Sequence, residues 1–363
     1  MIEHKSPLHR MTQTTPTCLW NDSAALEELQ YAMEHGAVGA TCNPVIVLDV
    51  LKQEMPLWKG RIQALIAGHP TASEREIAWA LVEEISATRA KLLEPIFRQQ
   101  NGRNGRLSIQ TDPILYRNTA ALIAQATRFS QLAPNMVVKV PVTSAGLAAF
   151  EELTYRGISL NATVSFTLPQ SVAVAEAVER GLARREREGL EIGTMGPVCT
   201  IMVGRLDDWL KLEAEKQNRT VDPGHLDWAG VAVFKKTYRI YQQRGYRIRL
   251  LAAAYRNHLH WSEFIGGHVV VSPPSKWQRR FNASQVTVED RIDRPVDPKI
   301  LAALNQFPDF VKANTEFGLT PEEFDTYGPT VRTLRQFIEA AHDLEAQIRE
   351  VMLPNPDLGD VRR

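Results

Sequence analysis

Two hydrophobic rhythms alternate along the chain. Short apolar runs, rich in β-branched residues, are separated by longer stretches whose apolar positions recur at helical spacing. The short runs predict strands at Thr17–Trp20, Ala37–Thr41, Leu107–Gln110, Met136–Val142, Gly157–Thr163, Pro197–Met202, Arg249–Ala253 and His268–Ser272. The intervening pattern predicts helices at Ala24–Glu34, Val45–Leu51, Leu57–Ile66, Ser73–Phe97, Asn118–Ser130, Ser144–Thr154, Leu168–Arg185, Leu206–Glu215 and Trp228–Arg244. Asp22 or Ser23 is suited to cap the first of these, and Ser73 the long fourth one. Eight strands alternating with helices is the pattern of a (β/α)8, or TIM, barrel. A doubly wound sheet alternates in the same way. It does not explain why so many strands end in polar residues, and no glycine-rich phosphate-binding turn follows any strand.

Beyond the barrel, Ser275–Pro298 is mixed and charged, and helices are predicted at Lys299–Leu304, Pro321–Tyr327 and Thr330–Met352. Leu334, Phe337, Ile338, Ala341, Leu344 and Ile348 give the last one an apolar face for packing. The expected division is a flexible arm over residues 1–15, a barrel over 16–290 and a helical C-terminal extension over 291–363 packed on the barrel.

Composition narrows the function. Lys plus Arg and Asp plus Glu both total 42, so the formal charge is zero. That argues against nucleic acid or a membrane surface as partner; an anion must be recognised by a few placed arginines. The three cysteines, Cys18, Cys42 and Cys199, show no metal-binding spacing. With no apolar core in the polar first fifteen residues, a cytoplasmic setting is expected.

The candidate chemistry centres on Met136-Val-Val-Lys-Val-Pro-Val142. A lysine in the middle of a buried strand is costly unless it is paired or loses its proton. The pleat places Lys139 on the face of Val137 and Pro141. Pointing into a barrel, it would be a desolvated amine suited to attack a carbonyl and form a Schiff base. Taken alone, the stretch equally allows a strand-end lysine reaching solvent or a structural ion pair. The other strands deliver Asp22, Asn43, Gln110, Asn161 with Thr163, Thr200 with Arg205, and Arg256 at their C-terminal ends, where barrel chemistry sits.

Six motifs then follow in order. Thr41-Cys-Asn43-Pro44 resembles the TTNP element of the transaldolase family, and Val138-Lys139-Val-Pro141 its IKIP strand. Gly157-Ile-Ser-Leu-Asn161-Ala-Thr163 resembles GI-x-x-NxT, and Val203-Gly-Arg205-Leu-Asp-Asp-Trp209 resembles VGRIxDW. Ala254-Tyr-Arg256-Asn257 resembles SFRN, and Val271-Ser-Pro273 the terminal ISP. The resemblance implies a (β/α)8 barrel and a transferase of carbohydrate metabolism, of the kind serving the pentose phosphate pathway. It implies a sugar phosphate as small-molecule substrate, no cofactor or metal, and a possible homodimer. By the same resemblance Lys139 forms the imine, and Asp22 is the general acid/base for carbon–carbon cleavage. Asn43 and Asn161 orient donor hydroxyls with Thr41 and Thr200 beside them, Thr163 holds the water of imine formation, and Arg205 and Arg256 grip a phosphate.

The chain departs from the pattern where the reaction is decided. The family's third strand usually carries glutamate, as in SIEVDP; here Ser108-Ile-Gln110-Thr-Asp-Pro113 has glutamine, which binds a water but cannot take its proton. Glutamine is what the fructose-6-phosphate-aldolase type carries, but that type has a tyrosine on the sixth strand where this chain has Met202. Ala254 lacks the serine hydroxyl of SFRN. The alternatives are therefore an aldolase releasing a free ketone, or a sugar-phosphate-binding relative without turnover. His258 and His260 form an HxH pair with no third metal ligand in view and are expected to be polar helix-start residues. Cys42 is expected to fill space, not to act as a nucleophile. Trp261 and Trp277 are the tryptophans to watch for substrate contact.

Overall fold

The structure, a computed structural model, describes residues 4–358. Eight parallel strands close into a barrel in sequence order: β1 (Cys18–Asn21), β2 (Ala37–Cys42), β3 (Arg106–Gln110), β4 (Met136–Pro141), β5 (Leu160–Thr163), β6 (Val198–Met202), β7 (Arg249–Ala253) and β8 (Val270–Val271). β1 pairs with β8 through Cys18↔Val270 and Leu19↔Val271, which closes the ring. The chain is thus a (β/α)8 barrel with a C-terminal helical segment.

The period-2 pleat sorts strand residues into two cores. Leu19, Ala40, Ile109, Val138, Val140, Ala162, Ile201, Ala252 and Val271 face the surrounding helices. Trp20, Val137, Val198, Leu251, Ala253 and Val270 form a separate apolar cluster inside the barrel. Gly39 is required there: a Cβ at this position would stand 2.5 Å from the Trp20 indole. This plug fills the barrel up to the level of Val137, and Lys139 is the next inward position above it.

Two residues directly beyond strands occupy the left-handed backbone region, Val164 after β5 (φ 55°) and Ala254 after β7 (φ 64°). A β-branched residue is strained there. Both turns lie at the mouth, immediately after Thr163 and before Arg256.

The C-terminal helix Gly328–Met352 buries Leu334, Phe337, Ala341, Leu344 and Ile348. It packs across the helices Pro44–Gly68 and Glu74–Gln99. Arg75 ties the second of these to it by reaching both Asp112 and Glu345.

Several expectations are corrected. The arm is not loose: Pro7–Thr14 is a helix capped by Ser6, and its Leu8 and Met11 are fully buried. One turn separates these two residues, so a largely polar segment still presents an apolar pair, and the Trp261 indole N–H donates to Met11 Sδ. Residues 1–3 of the arm, and 359–363 of the tail, lie outside the described residues. Neither Asp22 nor Ser23 caps the first barrel helix, which begins at Leu26. The helix after β6 starts at Val203, not Leu206, so Arg205 sits in its first turn. Ser275–Asn282 and Pro308–Asn314, which lack a clear apolar rhythm, are also helices.

Candidate active site

Strand register brings the polar interior residues together. Gln110 pairs with Lys139 and Lys139 with Asn161, so three neighbouring strands present these side chains at one level above the apolar plug. Pro141 pairs with Thr163, which sets Thr163 one inward step higher. Lys139 is 4 % exposed. Burial, the largest influence, holds its ammonium below the ordinary lysine pKa; the Asp22 carboxylate opposes this shift and the Arg205 guanidinium adds to it. Lysine and carboxylate therefore feel each other across the mouth.

Asp22 is fixed from β2. The Thr41 hydroxyl donates to its Oδ1 at 2.6 Å, and the Asp22 amide donates to the Pro273 carbonyl beside β8. Asn43 caps the helix after β2, its Oδ1 accepting from the Ile46 amide at 2.9 Å, which fixes the amide and leaves its NH2 free for a ligand. Asn161 is fully buried and oriented from both sides: Thr200 Oγ1 donates to its Oδ1 at 2.7 Å, and its Nδ2 donates to Ser108 Oγ at 3.0 Å. Ser108, which sequence reasoning passed over, thus fixes which way the amide points, and one N–H of Asn161 remains uncommitted.

Gln110 Oε1 and Thr163 Oγ1 are buried with no protein partner. Unpaired polar atoms at such depth are costly and call for a water or a ligand group between them and the amine. Met202 closes the end of β6 with apolar surface. A phenol stands just beyond β7: the Tyr255 hydroxyl is buried without a side-chain partner, and burial raises its pKa well above the ordinary tyrosine value.

Arg205 and Arg256 stand at the rim. Asp208 accepts from the Nε/Nη2 edge of Arg256, at 2.9 Å from Nε and 2.8 Å from Nη2. Arg205 donates through Nη1 to Gln336 and to Thr333 of the C-terminal helix, while its buried Nε has no partner. Burial, then repulsion from Arg256, brings its pKa down to about 10, so it stays charged at neutral pH. Gly204 lets the two arginines converge, because a Cβ there would stand 2.1 Å from the Ala254 carbonyl oxygen and 2.6 Å from Arg256 Cγ.

His258 and His260 do stand at a helix start, that of Leu259–Ser262, and of the two His260 is fully buried. Its Nε2 lies 2.8 Å from Asp207 Oδ2, and its Nδ1 accepts the Arg256 amide at 3.1 Å. Trp261 is also fully buried, stacked on Phe281 away from the cavity. Cys42 faces the outer core, where burial pushes its thiol up to about 11, out of nucleophile range. The Asp207–His260 pair carries no sequence signal, since each reads as a surface polar residue until the fold brings them together.

Comparison with known proteins decides the family. The profile of "Transaldolase/Fructose-6-phosphate aldolase" matches residues 19–348. The chain belongs to the transaldolase/fructose-6-phosphate aldolase family. It is 31 % identical over 209 residues to "Transaldolase 2" of Streptomyces avermitilis, covering 56 % of this chain and 55 % of that protein. It is 34 % identical over 194 residues to "Transaldolase" of Campylobacter jejuni subsp. jejuni serotype O:6, covering 52 % and 58 %. "Transaldolase" of Thiobacillus denitrificans is 29 % identical over 245 residues, covering 65 % and 67 %. The match to the first two spans little more than half of their length. Among the described residues no helix is long and apolar enough to cross a membrane.

Proposed function

We propose that the chain is a cofactor-free, Schiff-base transaldolase-type enzyme that moves a three-carbon dihydroxyacetone unit between phosphorylated sugars. The observation carrying this is Lys139: an amine buried in the barrel mouth, its pKa lowered by desolvation, level with Gln110 and Asn161 and within the field of Asp22.

In this reading Lys139 Nζ adds to the ketose C2 carbonyl, and the carbinolamine loses water to give the imine. Gln110 and Thr163, with their unpaired oxygens, hold that water. Asp22, aimed by Thr41, takes the proton of the C4 hydroxyl. The C3–C4 bond breaks, its electrons pass to the imine nitrogen as an enamine, and an aldehyde leaves. Attack of the enamine on a second aldehyde reverses these steps. Asn43 and Asn161 use their free N–H groups on donor hydroxyls, and Arg205 and Arg256 hold the phosphate at the rim.

Gln110 favours a second reading. Glutamine at this position is what the fructose-6-phosphate-aldolase type carries, and in this reading the chain acts as an aldolase releasing free dihydroxyacetone. Borohydride trapping tests the shared chemistry. After incubation with fructose 6-phosphate or dihydroxyacetone, reduction is expected to leave a stable adduct on the Lys139 peptide, absent in Lys139→Ala. No adduct from either ketone would sink both readings and leave a sugar-phosphate-binding protein. Product analysis with and without an acceptor aldose phosphate then separates transfer from release.

A further inference from the structure

Above the rim lies a cleft of about 70 Å³ that strand ends and C-terminal extension build together. Arg205, Asp208 and Arg256 line its lower side, and Arg332, Thr333 and Gln336 its upper side. One water needs roughly 10–15 Å³ of such space, so the cleft takes roughly five to seven water-sized atoms, a phosphoryl group but not a sugar ring. Three guanidiniums face one carboxylate, and that carboxylate is spent on Arg256. Arg332 is exposed and, among the described residues, forms no ion pair. Arg205 commits Nη1 to the extension and leaves the Nε edge, the side that grips two oxygens of an oxyanion, without a partner.

We propose that Arg332 is a specificity-determining residue, the third guanidinium of a two-sided subsite through which the C-terminal extension selects ketoses carrying a phosphate dianion. The proposal rests on the transaldolase-type reading for what the rest of the substrate does, but not for anion binding itself. A phosphate seated between Arg205, Arg256 and Arg332 has donors on both sides, so an uncharged ketose loses contacts to barrel and extension together. Arg332 is exposed and unpaired, so its replacement removes binding without disturbing the fold.

Calorimetric titration with inorganic phosphate tests this directly on the full chain. Arg332→Gln is expected to weaken phosphate binding about tenfold or more, the loss of one charge-assisted contact, and Arg332→Lys to weaken it less. Equal affinity in wild type and Arg332→Gln, or no phosphate binding by the wild type, overturns the proposal. Borohydride trapping is run in parallel. Arg332→Gln should raise the half-saturating concentration of fructose 6-phosphate relative to that of dihydroxyacetone by a similar factor. An unchanged ratio with efficient trapping overturns the proposal while the enzymatic reading stands. Loss of phosphate binding in the variant with no trapping in the wild type upholds the subsite and overturns the enzymatic reading.

Discussion

Asp207 and His260 are both fully buried, and Asp207 Oδ2 lies 2.8 Å from His260 Nε2. Because His260 Nδ1 accepts the Arg256 amide, the ring proton sits on Nε2 and points at Asp207. Asp207 Oδ1 accepts in turn from the Gly230 amide at 2.9 Å. Both its oxygens therefore meet donors. An asparagine there turns its NH2 toward one of them whichever way it lies. Asp207→Asn is expected to destabilise the fold by ~1–3 kcal/mol. It should also let Arg256 drift, raising KM for a phosphorylated ketose about tenfold with kcat changed far less. A purely structural pair would lower stability and leave KM alone, which thermal melts beside steady-state kinetics distinguish.

Thr41 aims Asp22. Its 2.6 Å hydrogen bond is the only side-chain donor on that carboxylate among the described residues. Thr41→Val keeps the shape and removes the donor. A carboxylate free to turn misses the C4 hydroxyl, and misplacement of about 1 Å lowers a rate by roughly a hundredfold. Single-turnover cleavage of fructose 6-phosphate should slow by about that factor while borohydride still traps the unreacted imine; Thr41→Ser should keep most of the rate. Wild-type cleavage by Thr41→Val would remove Thr41 from the mechanism.

The barrel was legible because its strands are β-branched runs ending in polar residues, and the pleat put Lys139 on one face with Val137 and Pro141. What escaped was whatever depends on a distant partner. The segment Pro7–Thr14 offers only Leu8 and Met11 as apolar anchors, too few for a helix that stands alone, and their value comes from the pocket they enter. Val203 and Gly204 continue the apolar run of β6, so the helix start three residues earlier was hidden. Asp207 looks like one of a solvated pair with Asp208 until His260 is brought against it. Arg332 looks like surface charge until the extension folds back over the barrel mouth.

Gln110 marks the departure from the family's glutamate, and its Oε1 is buried without a partner. Gln110→Glu restores a group that can pass a proton to and from the water of imine formation. The rate of adduct formation under excess borohydride should rise by roughly a hundredfold, at the low end for general acid–base catalysis. Stability should fall, because a carboxyl at 2 % exposure is costly to ionise. A rate equal to wild type, at pH values where the new carboxyl is ionised, would mean that water and proton are handled elsewhere.

Lys139 links activity to stability with opposite signs. Its folded-state pKa lies below the unfolded value of about 10.4, because burial penalises the ammonium. Below the folded pKa the lysine is charged in both states, and the native state bears the full penalty. The penalty shrinks as pH rises between the two pKa values and vanishes above the unfolded one. Lys139→Met should therefore abolish trapping yet raise the melting temperature, most at neutral and acid pH and progressively less towards pH ~10.4. Trapping by the wild type needs the neutral amine, so its rate should climb with pH through the depressed pKa. Asp22 opposes the depression and Arg205 deepens it. Asp22→Asn should move the acid limb of the trapping profile to lower pH, and Arg205→Gln should move it to higher pH. A limb that stays in place in both variants would mean that Lys139 does not feel these charges and that burial alone sets its proton affinity.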